Sequence, residues 1–166
     1  MRVPLSAAFI LASLASCGAP QPPALPSGTK ADRIVVVKHQ GWLTAYADDE
    51  ELVTYFNIGL GNAPAGRKRY EGDGMVPEGD YRIARDAPDS RRPCSLRISF
   101  PNAVDRAYAA ARGRSPGGHV EIRGSIPLPR NTRDDALYDG GIELSDPEMR
   151  QLCDIVPNGI PITIRA

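Results

Sequence analysis

Glycine and proline, 16 of each in 166 residues, cut this chain into short apolar runs. Proline removes a helix hydrogen bond and glycine weakens a helix. Punctuation this dense therefore favours a strand-and-turn domain over a helical bundle. The first folded run is Arg33-Ile34-Val35-Val36-Val37-Lys38, β-branched and read as a buried strand. Gln40-Gly41 is a turn signal, Trp42–Tyr46 the next strand, Asp48-Asp49-Glu50 a second turn, and Leu52–Ile58 a third strand. This is a meander of short antiparallel strands. A Gly/Pro-rich loop is expected from Gly59 to Glu78, then strands at Tyr81–Ala84, Ser95–Phe100 and Ile160–Ile164.

Two short helices interrupt the strands. The first spans about Asn102 to Arg112, with Asn102 as N-cap and Gly113 just past its end. The second opens on Ser145-Asp146-Pro147-Glu148, where Ser145 and Glu148 have capping-box spacing and Pro147 sits where its missing N–H does no harm. Met149, Leu152, Cys153 and Val156 then fall on one face. The expected fold is one β-rich α+β domain of mostly antiparallel strands.

Charge excludes some functions. Lys and Arg number 20, as do Asp and Glu, so no basic excess points to nucleic acid. Two histidines and three scattered cysteines offer no metal-ligand spacing, and no cofactor is implied. Cys153 reads as a small core residue, or as a disulfide partner of Cys94 in an oxidising compartment.

The N-terminus has a separate logic. Met1-Arg2 precedes an apolar run from Val3 to Ala15, a secretory signal too short to stay in a bilayer as a spanning helix. The run closes on Leu14-Ala15-Ser16-Cys17, which resembles the lipobox of bacterial lipoproteins. That resemblance implies cleavage before Cys17 and a lipid on its thiol. Gly18, in place of the aspartate that marks inner-membrane retention, points to the outer membrane and a domain facing the periplasm. Pro20, Pro22, Pro23 and Pro26 make the next stretch an extended tether of about 40 Å. The expected organisation is a signal peptide at 1–16, lipidated Cys17 and tether at 17–30, and one domain at 31–166.

Within that domain, several blocks occur in order. Gly61-Asn62-Ala63-Pro64-Ala65-Gly66-Arg67-Lys68 leads to Glu71-Gly72-Asp73-Gly74-Met75-Val76-Pro77-Glu78-Gly79-Asp80-Tyr81-Arg82-Ile83. Leu96-Arg97-Ile98-Ser99-Phe100-Pro101-Asn102, Ser115-Pro116-Gly117-Gly118 and Val156-Pro157-Asn158-Gly159-Ile160-Pro161 follow. Together they resemble the L,D-transpeptidase catalytic domain, also called the YkuD domain. The resemblance spans Arg33 to Arg165 and implies that fold. The Glu71–Gly79 loop on its own reads as a shaped turn leading into a core strand.

The family's chemistry needs a cysteine that attacks a cell-wall peptide carbonyl and a histidine that takes the thiol proton. The resemblance places the histidine position at Arg123, in Glu121-Ile122-Arg123-Gly124. It places the cysteine position at Gly141, in Tyr138-Asp139-Gly140-Gly141-Ile142-Glu143-Leu144-Ser145. Arginine does not deprotonate in proteins and glycine offers no nucleophile. The stretch between the two positions looks shorter than is usual for the family. His119 is read on the same strand as Arg123, about 13 Å away and facing the same side. His39 reads as solvated, and Cys94 as far from the motif.

The expected function is a non-catalytic envelope lipoprotein associated with peptidoglycan. Its expected partners are stem peptides or an envelope protein, with a membrane held through the lipid on Cys17. The degenerate positions are Arg123 and Gly141. Gly140 and Gly141 are candidates for a remnant oxyanion hole, and Arg123 and His119 for substrate contact. Arg123 either grips a stem-peptide carboxylate or is a solvated strand residue. The rival reading is a divergent active L,D-transpeptidase or cell-wall hydrolase acting on peptidoglycan stem peptides or cross-links through other residues; Cys94 is the first such residue to consider.

Overall fold

The computed structural model describes residues 21–61, 65–85, 94–124 and 140–166. The signal peptide, Cys17 and most of the segment between the Arg123 and Gly141 positions lie outside them.

Nine strands and two helices are present among the described residues. They are β1 (Arg33–Val37), β2 (Trp42–Ala47), β3 (Glu50–Phe56), β4 (Gly59–Leu60), β5 (Gly79–Arg85), β6 (Leu96–Ile98), α1 (Ala103–Ala110), β7 (Glu121–Gly124), β8 (Ile142–Leu144), α2 (Asp146–Ile155) and β9 (Pro161–Arg165). The sequence-read strands and both helices fall where expected, within a residue or two at their ends. β4 is the addition. Its two residues lie inside the expected Gly59–Glu78 loop and become a strand only by pairing with β8.

The strand order is β3-β2-β1-β9-β5-β6-β7-β8-β4. Only Asn57 and Ile58 join β3 to β4, yet these strands stand at opposite ends of the order. Three residue steps reach about 10 Å at most, so the sheet must curl until its first and last strands come together. The β1–β9 and β7–β8 pairs are parallel, and the other pairs are antiparallel.

Alternation along the strands fills the curl. Ile34, Val36, Leu43, Ala45, Val53, Tyr55, Ile83, Leu96, Ile98, Ile162 and Ile164 are buried, as period-two patterning requires. Each such aliphatic side chain contributes about 1.5–3 kcal/mol when buried. Helix α2 adds Met149, Leu152, Cys153 and Ile155 to the same core. At its start the Glu148 carboxylate accepts from both the Ser145 N–H and the Ser145 hydroxyl, at 2.9 and 2.7 Å. At α1, Asn102 Oδ1 accepts from the Val104 and Asp105 N–H groups, while Asp105 accepts from the Asn102 N–H.

One expectation needs correction, and one open alternative is resolved. The tether does not stand clear of the domain along its whole length. Leu25 packs against the core, Gln151 Nε2 donates to the Pro23 carbonyl at 2.6 Å, and Lys30 Nζ donates to the Asp154 carbonyl at 2.7 Å. These two hydrogen bonds tie this strap, residues 23–30, to α2. Cys153 is buried as expected, but it is not a free thiol. It forms a disulfide with Cys94, 59 residues away, with Cα atoms 6.5 Å apart.

Candidate functional site

β7 and β8 run parallel with Arg123 directly opposite Glu143. That register decides what Arg123 does. Its side chain is only 5% exposed, and it donates from Nη2 and Nε to Glu143 Oε1 at 2.8 and 3.2 Å. Glu121 Oε1, on the same strand, lies 3.9 Å from Nη1. Arg123 is therefore a buried, ion-paired residue and not a solvated one. Burying a guanidinium without such partners would cost several kcal/mol.

Gly141 sits against that guanidinium. A Cβ built on Gly141 would lie 3.6 Å from both Cζ and Nη1 of Arg123, and 3.3 Å from the Glu121 carbonyl oxygen. The two positions singled out in sequence, 18 residues apart, are thus brought into contact. A Cβ at 141 would pack in ordinary contact against the arginine and tightly against the Glu121 carbonyl.

The neighbouring glycine differs in kind. Gly140 has φ of 93°, and a Cβ there would meet the Met75 carbonyl oxygen at 1.8 Å. No side chain can be accommodated. Gly141 is absent from the left-handed positions, so its backbone does not require glycine. Gly61 closes the same cluster: its own Cβ would lie 2.4 Å from the Gly74 carbonyl oxygen, and its N–H donates to the Gly141 carbonyl at 3.0 Å.

The Glu71–Gly79 loop supplies the floor. Asp73 Oδ2 accepts from the Arg69 and Tyr70 N–H groups at 2.7 and 2.9 Å. Its Oδ1 accepts from the Met75 N–H and from Lys68 Nζ, both at 3.1 Å. Burial pushes the Asp73 carboxyl up, but these donors together outweigh it and hold the group below the ordinary carboxylate range. Lys68 is fully buried, and its Cδ lies 3.5 Å from where a Gly140 Cβ would be. Lys38 is buried too; its Nζ donates to Glu78 at 2.8 Å, to the Val76 carbonyl at 3.2 Å and to the Gly66 carbonyl. The loop is structural, as its sequence suggested, and its work is to press the Gly74–Met75 backbone against Gly61 and Gly140.

A second buried carboxylate steadies the approach to this loop. Asp105 accepts from Arg67 Nη2 and from the Tyr81 hydroxyl, both at 2.8 Å. Burial, reinforced by Asp105, pushes the Tyr81 hydroxyl well above its ordinary range, so it stays a donor.

The remaining sequence candidates scatter. His119 precedes β7, is exposed and has φ of 56°. It is not on the strand of Arg123, because β7 begins only at Glu121 and the left-handed backbone at His119 breaks the extended run. His39 is exposed, and Cys94 is in the disulfide. Sequence reasoning missed Lys38, Lys68, Asp73 and Glu143. Lys68 and Asp73 were visible as members of ordered blocks. Glu143 carried no signal, since its role depends on a parallel register between distant strands.

Comparison with known proteins agrees with this architecture. No protein-family profile matches the chain. The Escherichia coli strain K12 protein named "Putative L,D-transpeptidase YafK" is 34% identical over 80 residues, which cover 45% of this chain and 32% of that protein. The match thus spans about a third of the length of that relative. The helical cell shape determining protein Pgp2 of Campylobacter jejuni superposes with a TM-score of 0.61 at 21% identity, over 83% of this chain and 48% of that chain. The L,D-transpeptidase (Yku) of Stackebrandtia nassauensis does so with a TM-score of 0.52 at 10% identity, over 86% and 58%. The chain thus has the fold of these L,D-transpeptidase structures and, over 80 residues, is similar in sequence to one protein of that name.

Proposed function

We propose that this protein is a non-catalytic, peptidoglycan-associated member of its family, held in the bacterial envelope by a lipid on Cys17 with its domain in the periplasm. The observation that carries the reading is Arg123. Its guanidinium lies against Gly141 and is held there by Glu143. In place of a thiol and a neutral imidazole, the site holds Gly141, which offers no nucleophile, and a guanidinium paired to Glu143, which does not deprotonate to act as a base. The disulfide supports the same reading, because it removes Cys94 as a stand-in nucleophile. Similarity to cell-wall enzymes and to a cell-shape protein supports the envelope setting.

The ligand chemistry follows from what Arg123 already accepts. Two of its hydrogen bonds go to one carboxylate oxygen on Glu143, whose side chain is 38% exposed. A stem-peptide carboxylate can displace Glu143 toward solvent and take over the planar guanidinium fork. Glu143 is then a placeholder that keeps the buried charge paired in the empty protein.

Isothermal titration with purified muropeptides, followed by chromatography of the recovered ligand, tests this. Wild-type protein binds and returns the muropeptides unchanged. Arg123→Gln weakens binding by about tenfold, one lost charge-assisted hydrogen bond. Recovery of cleaved or cross-linked muropeptides contradicts the proposal.

A further inference from the structure

We propose that the rim of the curled sheet bearing Trp42 and Phe56 rests on the phospholipid bilayer to which the chain is anchored. The inference rests on the reading that Cys17 carries a lipid and adds the posture of the domain on that membrane.

Three independent features converge on this rim. The first is an exposed aromatic pair. Trp42 and Phe56 face each other across the β2–β3 ladder, 38% and 54% exposed, with ring centroids 5.5 Å apart in an edge-to-face arrangement. Such a pair gains nothing from water. At a membrane interface the rings sit at headgroup depth and the indole N–H keeps a polar partner.

The second feature is charge. Register places Val37, Trp42, Phe56 and Arg165 at one end of the sheet, with exposed His39 and Gln40 in the turn between β1 and β2. The nearby carboxylate of Glu78 is tied to Lys38. The exposed acidic residues of the β2–β3 hairpin, Asp48, Asp49 and Glu50, lie at the opposite end. Five residue steps of strand separate the two ends by about 17 Å. The acidic tip thus points away from the surface that the aromatic rim would meet.

The third feature is where the strap leads. Gln21, Pro22 and Pro23 line a groove together with Tyr55, Phe56 and Asn57. Gln151 ties the strap there, donating to the Pro23 carbonyl while its own Oε1 accepts from the Tyr55 hydroxyl at 2.9 Å. Cys17 is four residues before Gln21, so its sulfur can be no more than about 14 Å of chain from the groove. A lipid there brings the Phe56 end of the groove down to the bilayer.

Trp42 is the only tryptophan in the chain, so its emission reports on this rim alone. The mature protein beginning at Cys17 is coupled through that thiol to maleimide-headgroup lipid in phosphatidylethanolamine–phosphatidylglycerol vesicles. The vesicles carry either ordinary or brominated acyl chains. Brominated chains are expected to quench Trp42 by about half, as an interfacial indole requires. Phe56→Asp should abolish most of that quenching while coupling stays complete. Equal emission in both vesicle types overturns the proposal. Intact mass of the protein expressed in a bacterial host separately reads the lipid on Cys17. A missing lipid refutes the anchoring reading, whereas quenching in the coupled protein upholds the rim's affinity for bilayers.

Discussion

Two adjacent glycines, Gly140 and Gly141, differ in what the backbone demands of them. Gly140 is fixed by a left-handed φ and by the Met75 carbonyl, so Gly140→Ala should destabilise by about 3 kcal/mol or more. Gly141 has neither constraint, and its virtual Cβ makes only tight but yielding contacts. Gly141→Ala should cost about 1 kcal/mol or less. Urea denaturation of the two variants checks the contrast; equal losses would mean that Gly141 is as constrained as its neighbour. The proximity of Arg123 and Gly141 was legible in the sequence through the family pattern. The burial of Arg123 was not, because the carboxylate that makes burial tolerable arrives from a strand 20 residues later by parallel pairing.

Among the elements, the strands and helices declared themselves locally. β-Branched runs marked β1 and β3, Asn102 marked the start of α1, and Ser145 with Glu148 marked α2. Asn102→Ala should lower stability by about 1 kcal/mol, since it strips two N–H groups of their acceptor. The two-residue β4 had no such local mark, since only pairing with β8 makes it a strand. The Glu71–Gly79 loop read correctly as structural, but its means were hidden: one carboxylate satisfying three backbone donors and a buried lysine. Because the folded Asp73 carboxyl lies below its unfolded value of about 3.9, it adds stability above that pH. The contribution fades as pH falls through the folded value. Wild-type stability should therefore drop more steeply below about pH 4 than that of Asp73→Asn, which starts lower at neutral pH because Lys68 loses its counter-charge. Parallel acid limbs for the two proteins would refute this role.

At the scale of the molecule, the curl of the sheet brings the site together. It sets β7 and β8 between β6 and β4 and seats α2 beside β7. Nothing in composition announces closure; it follows from a two-residue link between strands that end up at opposite ends of the order. The Cys94–Cys153 bridge then closes a loop of 59 residues. Chain entropy assigns such a loop about 4 kcal/mol of stabilisation. Reduction should lower the unfolding free energy by up to that amount, read as a shift in urea midpoint with and without reductant. An unchanged midpoint would mean the bridge is not formed in solution.

The central claim is that the scaffold persists without its acyl chemistry, and intact mass after incubation with a carbapenem tests it most directly. The wild-type domain should remain at its unmodified mass. The double change Arg123→His with Gly141→Cys restores nucleophile and base where their positions already touch, with the N–H groups of Gly140 and residue 141 offered as oxyanion donors. It should gain at least slow adduct, while either single change does much less because the two groups act as a unit. A carbapenem adduct on the wild-type protein would contradict the account.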